Sequence, residues 1–164
     1  MSGVFLLLGS NLGNRLSALS EARNNISRTA GKIITHSSVF RTAAWGDKAG
    51  AEFYNQVVEL LPASTPKVTL TRILEIEKAM GRERVEKWGD RIIDIDILLW
   101  NNMVLEEPDL VIPHPFLHMR RFALAPLAEL APAAEHPVLK KTISVLLAEC
   151  SDPLAVAKLT DTTG

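Results

Sequence analysis

Ile92-Ile93-Asp94-Ile95-Asp96-Ile97-Leu98-Leu99 is the segment whose periodicity decides the fold. Side chains two apart on a strand share a face. Ile93, Ile95, Ile97 and Leu99 therefore form one continuous apolar face, while Asp94 and Asp96 stand together on the other, between Ile92 and Leu98. A lone carboxylate among apolar neighbours is costly unless it is paired or meets a cation. Two of them roughly 7 Å apart along one strand repel each other as well. Hard divalent cations remove both costs. Mg2+ is characteristically held by one or two carboxylates together with substrate phosphates, and paired metals serve in-line phosphoryl displacement. The bland account is a solvated edge strand, and the apolar residues on both flanks of the pair weigh against it.

Arg82-Glu83-Arg84-Val85-Glu86-Lys87-Trp88-Gly89-Asp90-Arg91 leads straight into this strand. It has no period, so it reads as a loop. Arginine forks onto phosphate oxygens through two parallel bonds, and phosphoryl transfer is catalysed mainly by positioning and charge. By itself the segment reads as a solvated loop balanced by Glu83, Glu86 and Asp90. Beside two strand aspartates it reads as phosphate-binding, a lid that orders over bound substrates.

Outward from this core the chain alternates strands and helices. Val4 to Leu8 reads as a buried strand, and Leu16, Leu19, Ala22 and Ile26 mark a helix stopped by Gly31. Ile33 to Arg41 and Phe53 to Leu61 read as strands, separated by a loop from Thr42 to Glu52. Thr65 caps a helix that begins at Pro66 and runs to Met80, with Gly81 ending it. After the aspartate strand, Asn101-Asn102 suits a hairpin into a short strand from Met103 to Leu105. Pro113 to Pro132 holds short helices, and Thr142 to Cys150 forms an amphipathic terminal helix. The order β-α-β-β-α-β fits an α+β fold of ferredoxin-like type, an antiparallel or mixed sheet covered by helices. Neither a dinucleotide fingerprint nor a P-loop is present.

Within these elements, Phe53 and Asn55 share a strand face, an aromatic plate beside a carboxamide that suits a flat heterocycle. Glu77 lies on the apolar stripe of its helix and needs a partner, either a loop arginine or a metal-bound water. Arg120-Arg121-Phe122, with Pro113-His114-Pro115, adds basic groups downstream of the aspartates, consistent with more phosphate contacts.

The 164 residues fit one domain spanning 1–164, with 18 basic and 19 acidic side chains and a net charge of −1. That balance gives no global attraction to nucleic acid or to an anionic membrane. One cysteine excludes an intrachain disulfide and suits a reducing compartment. The first apolar run is too short for a signal peptide or membrane span, so a cytoplasmic protein is expected.

Gly9-Ser10-Asn11, Arg41-Thr42, Phe53-x-Asn55, Gly81-Arg82-x-Arg84, Trp88-Gly89-x-Arg91, Asp94-x-Asp96 and Pro113-His114-Pro115 occur in this order. Together they resemble the dihydropterin pyrophosphokinase family of folate biosynthesis over about residues 3 to 132. The resemblance implies transfer of pyrophosphate from ATP to a reduced hydroxymethylpterin by a three-layer α-β-α monomer with two Mg2+ ions. It implies Arg82, Arg91, Asp94 and Asp96 as catalytic, the two aspartates being the metal ligands. It implies Glu77, Arg84, Trp88, Ile97, His114 and Arg120 as contacts to ATP. The pterin would be framed by Thr42, Trp45, Phe53, Asn55 and Phe122. Phe116 stands where many members carry arginine, and Ala43-Ala44-Trp45-Gly46 lacks a proline common there. Two rival readings are a metal-dependent nuclease, which would want a basic groove, and a regulatory module, which would have no use for two acids and three arginines in one place.

Overall fold

The computed structural model describes residues 3–42, 52–81 and 92–159. Its first strand is β1 (Val4–Ser10), an interior strand every residue of which is buried. A run of large apolar side chains with no polar alternation suits only a strand covered on both faces. β1 pairs antiparallel with β4 (Phe53–Pro62) on one side and with β5 (Asp94–Trp100) on the other. The far side of β4 takes two short strands, β2 (Gly31–His36) on its C-terminal half and β3 (Phe40–Thr42) on its N-terminal half. β8 (Val156–Lys158) then pairs with β3 and completes a six-stranded sheet.

Two helices cover one face and two the other. α1 (Arg15–Thr29) is capped by Asn14, whose side chain accepts the Ser17 N–H. α2 (Pro66–Ala79) is capped by Thr65 and carries Pro66 in its first turn, as the sequence indicates. They cover Val4, Leu6, Leu8, Val58, Leu60, Ile93, Ile95 and Ile97, with Leu19, Ile26, Ile73 and Ile76 inserted between. On the opposite face α3 (Arg121–Leu130) and α4 (Ile143–Glu149) cover Phe5, Leu7, Val57, Leu98 and Leu99 with Leu124, Leu127, Ile143 and Leu146. This is the α-β-α arrangement that the resemblance implies, with an antiparallel sheet. Among the described residues no helix is long and apolar enough to cross a membrane.

Several boundaries differ from the sequence reading for identifiable reasons. The expected single strand from Ile33 to Arg41 is broken between β2 and β3. There Ser37 replaces ladder geometry with its side chain: its hydroxyl accepts the Val57 N–H at 3.0 Å, while its own N–H reaches the Val57 carbonyl at 2.8 Å. Asn101-Asn102 does form a tight turn, closed by Met103 N–H to the Trp100 carbonyl at 3.0 Å. It does not lead into a strand at Met103. Instead β6 (Leu105–Glu107) pairs with β7 (Leu110–Ile112) in a separate two-stranded sheet. α4 is not terminal, since β8 follows it.

The aspartate strand also departs from strict alternation. Phe5 pairs with Leu99 but Leu6 pairs with Ile97, so Leu98 is an extra residue, a β-bulge. The bulge turns Leu99 away from Ile93, Ile95 and Ile97, and Trp100 takes its place in the first core.

Gly31 opens β2 directly behind α1 at φ +154°. A Cβ there would run into the Leu61 carbonyl oxygen and lie 2.9 Å from Pro62 Cα. Backbone cannot yield as a flexible side chain can. Gly31→Ala is therefore expected to destabilise the protein by about 1–3 kcal/mol, the scale of forced overpacking. Urea unfolding of the variant beside the parent measures it, and an unchanged midpoint would refute the tight approach of β2 to β4.

Candidate active site

The antiparallel registers bring the ends of four strands together. Asp94 on β5 pairs with Gly9 on β1, Gly9 with Asn55 on β4, and Asn55 with Phe40 on β3. Residues directly opposite in a sheet share a face, so this row presents an acid, an open position, a carboxamide and an aromatic ring in sequence. One row inward, Asp96 pairs with Leu7 and Leu7 with Val57, both in the core beneath α3 and α4. Asp94 and Asp96 thus occupy the α3 side of the sheet, half-buried. The sequence reading had them sharing one face, and they do.

Gly9 is the position that the sequence reading used only as part of a motif. A Cβ on it would come within 2.8 Å of Asn55 Oδ1 and 3.7 Å of the Phe53 ring. The missing side chain leaves room for the Asn55 carboxamide to lie beside β1, toward Asp94. The signal for it was present, because a glycine inside an apolar strand often marks close approach by another group. Asn55 Nδ2 donates to Thr42 Oγ1 at 3.2 Å, and both side chains are buried. Thr42 pairs with Phe53, so Thr42, Phe53 and Asn55 sit on one face at one end of the sheet. Phe122, in the first turn of α3, packs over the same face from the core on that side.

His114 joins from the segment after β7. Its backbone N–H donates to the Leu98 carbonyl at 3.0 Å, fixing it to β5 at the bulge. Its ring Nδ1 accepts the Phe116 N–H at 3.1 Å, which leaves Nε2 to carry the proton. Burial, and then the charge of Arg120, push its pKa down to about 4, so the ring is neutral at physiological pH. Arg120 lies between two aromatic rings, its guanidinium carbon 5.3 Å from the Phe116 centroid and 5.6 Å from that of Phe122. His114, Phe116, Arg120 and Phe122 therefore form one cluster alongside the aspartates.

Two expected residues also serve the fold. Glu77 is 4% exposed, and its Oε2 accepts the Ile95 N–H at 2.7 Å. This bond to the backbone at the outer edge of β5 ties α2 to the aspartate strand. The Ile97 side chain is buried in the first core, across the sheet from Asp94 and Asp96, so any ligand contact it makes runs through its backbone. Arg82, Arg84, Trp88, Arg91 and Trp45 lie outside the described residues, as does the expected lid. Among the described residues no group of three or more His, Cys, Asp or Glu side chains gathers. The described carboxylates on this strand face are the aspartate pair.

Residues 5–132 match the family model described as 7,8-dihydro-6-hydroxymethylpterin-pyrophosphokinase. The chain is 39% identical over 133 residues to a 2-amino-4-hydroxy-6-hydroxymethyldihydropteridine pyrophosphokinase of Methylorubrum extorquens, covering 80% of this chain and 84% of that one. It is 38% identical over 143 residues to the enzyme of the same name from Aquifex aeolicus, covering 87% and 89%. Among solved structures, wild-type Plasmodium falciparum HPPK-DHPS with pteroate superposes with a TM-score of 0.73 at 18% identity. That match covers 90% of this chain and 44% of the larger one, and it speaks for the fold alone.

The neutral His114 has a consequence for stability. The unfolded chain takes up a proton near the ordinary histidine pKa of 6.5, whereas the folded chain resists until about 4. The unfolded state binds more protons between these values, so stability is full above pH 6.5 and falls as pH drops toward 4. His114→Gln is expected to flatten that slope, removing up to about 3 kcal/mol of the loss at pH 4. His136 keeps part of the slope in the variant, since burial and then the nearby His118 lower its pKa too. Urea midpoints from pH 7.5 to 4 would check this, and parallel curves would refute it.

Proposed function

This chain belongs to the 7,8-dihydro-6-hydroxymethylpterin-pyrophosphokinase family, pyrophosphokinases of folate synthesis, and from that premise we propose how its sheet-end site does the work. The reaction moves the terminal two phosphates of ATP as a unit onto the hydroxymethyl oxygen of a reduced pterin. A bond forms between that oxygen and the β-phosphorus, the bond from the β-phosphorus to the oxygen bridging it to the α-phosphorus breaks, AMP leaves, and the hydroxyl proton passes to solvent. The observation that carries this reading is the row Asp94–Gly9–Asn55, with Thr42 bonded to Asn55. It sets a polar recognition edge beside an acid pair across one residue that has no side chain.

In this proposal Asn55 and Thr42 bind the pterin's polar edge, and Phe53 and Phe122 bracket its ring. The carboxamide offers both donors and an acceptor, which an amide-bearing heterocycle can match. His114 donates from Nε2 to a phosphate oxygen, and Arg120, held between Phe116 and Phe122, adds fixed positive charge. Arg82 and Arg91 act on the transferring group, and Arg84 and Trp88 on the nucleotide. Asp94 and Asp96 would hold two Mg2+ ions. Their donor set fits, being two half-buried carboxylates on one strand face. Bound Mg2+ would offset phosphate charge and help align the triphosphate. The proposed unit is a monomer, and no step calls for nucleic acid or a membrane. The place of action proposed is the cytoplasm.

The direct test mixes the protein with ATP, Mg2+ and 6-hydroxymethyl-7,8-dihydropterin and identifies the products. AMP and a pterin diphosphate in equal amounts support the proposal, and ADP in place of AMP would exclude it. Asp94→Ala and Asp96→Ala should each lower turnover by at least about 100-fold, the scale of losing a group that stabilises developing charge. Melting in EDTA should be unimpaired, because one of two neighbouring carboxylates has been removed. Loss of fold in both variants would make the acids structural.

Asn55→Ala should weaken pterin binding about tenfold or more while barely touching nucleotide affinity, since a site built to hydrogen-bond a polar edge loses most when the match is removed. Calorimetry with 6-hydroxymethylpterin and with an unreactive ATP analogue, run separately, would decide. Equal losses would sink the assignment.

A further inference from the structure

The segment after α4 lies beyond the residues matched by the family model, which end at 132. It nevertheless grips both walls of the pterin side of the site. Asp152 is 7% exposed. Its Oδ2 accepts the backbone N–H of Arg121 at 3.1 Å, and its Oδ1 accepts the Leu154 N–H at 2.9 Å. The Arg121 guanidinium returns the contact, donating to the Cys150 carbonyl at 2.7 Å and also to the carbonyl of Asp152. Arg121 is therefore not an additional phosphate ligand. It is held by backbone and side chain to the turn that follows α4.

The helix it opens needs this. Arg120, at the cap position of α3, makes no side-chain capping bond. The first turn of a helix has backbone N–H groups without partners and favours a negative charge. Asp152 supplies both the acceptor and the charge from elsewhere in the chain. The next residue of the helix is Phe122, one wall of the proposed pterin slot.

The same segment then reaches the other wall. β8 pairs with β3 as Thr42 with Val156, Arg41 with Ala157 and Phe40 with Lys158, and Leu159 N–H donates to the Val39 carbonyl at 2.8 Å. Lys158 Nζ pairs with Glu129 Oε2 on α3 at 2.9 Å, and Glu129 Oε1 accepts the Ser38 N–H at 2.6 Å just before β3. Burial of Glu129 opposes its ionisation, but these two partners outweigh it and hold its pKa below the usual value. A chain of ten residues thus links the start of α3 to the end of β3.

We propose that residues 150–159 brace the pterin slot, with Asp152 as a positioning residue that fixes Phe122 on α3 relative to Thr42 on β3. The proposal rests on the assignment of those two residues to the pterin. Loosening the brace widens the slot and weakens pterin binding. Among the described residues the nucleotide side depends on the brace only through Arg120, because His114 hangs on Leu98 and the aspartates stand on β5.

The test uses the full chain carrying Asp152→Ala or Asp152→Asn. Hydrogen exchange reads the Arg121 and Leu154 amides, and calorimetry reads 6-hydroxymethylpterin and an unreactive ATP analogue. In Asp152→Ala both amides should exchange faster. The pterin Kd should rise about tenfold, the scale of a lost charge-assisted bond, and the nucleotide Kd by no more than about twofold. Asp152→Asn, which keeps an acceptor, should fall between. If Asp152→Ala does not fold, Arg121→Met, which leaves the cap intact, must show the same selective loss. Faster exchange with an unchanged pterin Kd, or equal loss of both ligands, would overturn the brace alone. A parent chain that binds no pterin would overturn the pterin assignment, and the brace with it.

Discussion

The site depends on one cross-strand contact, the Asn55 carboxamide lying against the bare Cα of Gly9 in the middle of the row Asp94–Gly9–Asn55. Neighbouring strands stand about 4.8 Å apart, so Asp94 and Asn55 are separated by roughly 10 Å across β1. Any side chain at Gly9 would fill that gap and push Asn55 off Thr42. The glycine costs backbone entropy in a buried strand. That cost is offset by β1 itself, whose Val4, Phe5, Leu6, Leu7 and Leu8 are buried on both faces of the sheet. The gap is therefore carried by a strand packed on both faces, and the groups on either side are positioned against it.

The bulge at Leu98 is the second half of this arrangement. Without it, strict alternation would send Leu99 into the first core and the bulkier Trp100 toward α3. With it, Leu98 and Leu99 both pack under α3 and α4, while Asp94 and Asp96 keep their shared face nearer the strand's start. Leu98 has no partner in β1, and its carbonyl receives His114 instead. One irregularity thus serves packing on one side and mounts a site residue on the other. Bulges beside active sites commonly re-aim a chain in this way.

The parts of this molecule written in short-range pattern were legible in the sequence. Thr65-Pro66 marked the start of α2, the period of two in Asp94-Ile95-Asp96 placed both acids on one face, and Phe53-x-Asn55 put a ring and an amide together. The parts set by partners distant in sequence were not. Ser37 breaks a strand through a bond to Val57, twenty residues on. β8 has only three residues, too few for any periodicity, and exists because β3 offers it an edge. Arg121 sits in a basic pair that composition assigns to phosphate, whereas its partners are thirty residues downstream. Glu77 was legible as an acid needing a partner, but only the fold puts the Ile95 N–H in its reach.

The neutral state of His114 bears on how phosphate charge is managed in the proposed reaction. A histidinium beside Arg120 would add like-charge repulsion to the desolvation already imposed on the ring, and the depressed pKa expresses both. The Phe116 N–H commits Nδ1 as an acceptor, so the proton on Nε2 is fixed by geometry and does not depend on pH near neutrality. Such a group can hydrogen-bond a phosphate oxygen without contributing net charge. Arg120, which cannot lose its proton, supplies the charge from between two aromatic rings that limit its motion. Separating orientation from charge in this way matters for a triphosphate whose two outer groups leave together. The donor at His114 orients a phosphate oxygen without adding charge of its own. The electrostatic hold relaxes only as the bond to the AMP oxygen breaks and the diphosphate becomes bonded to the pterin oxygen.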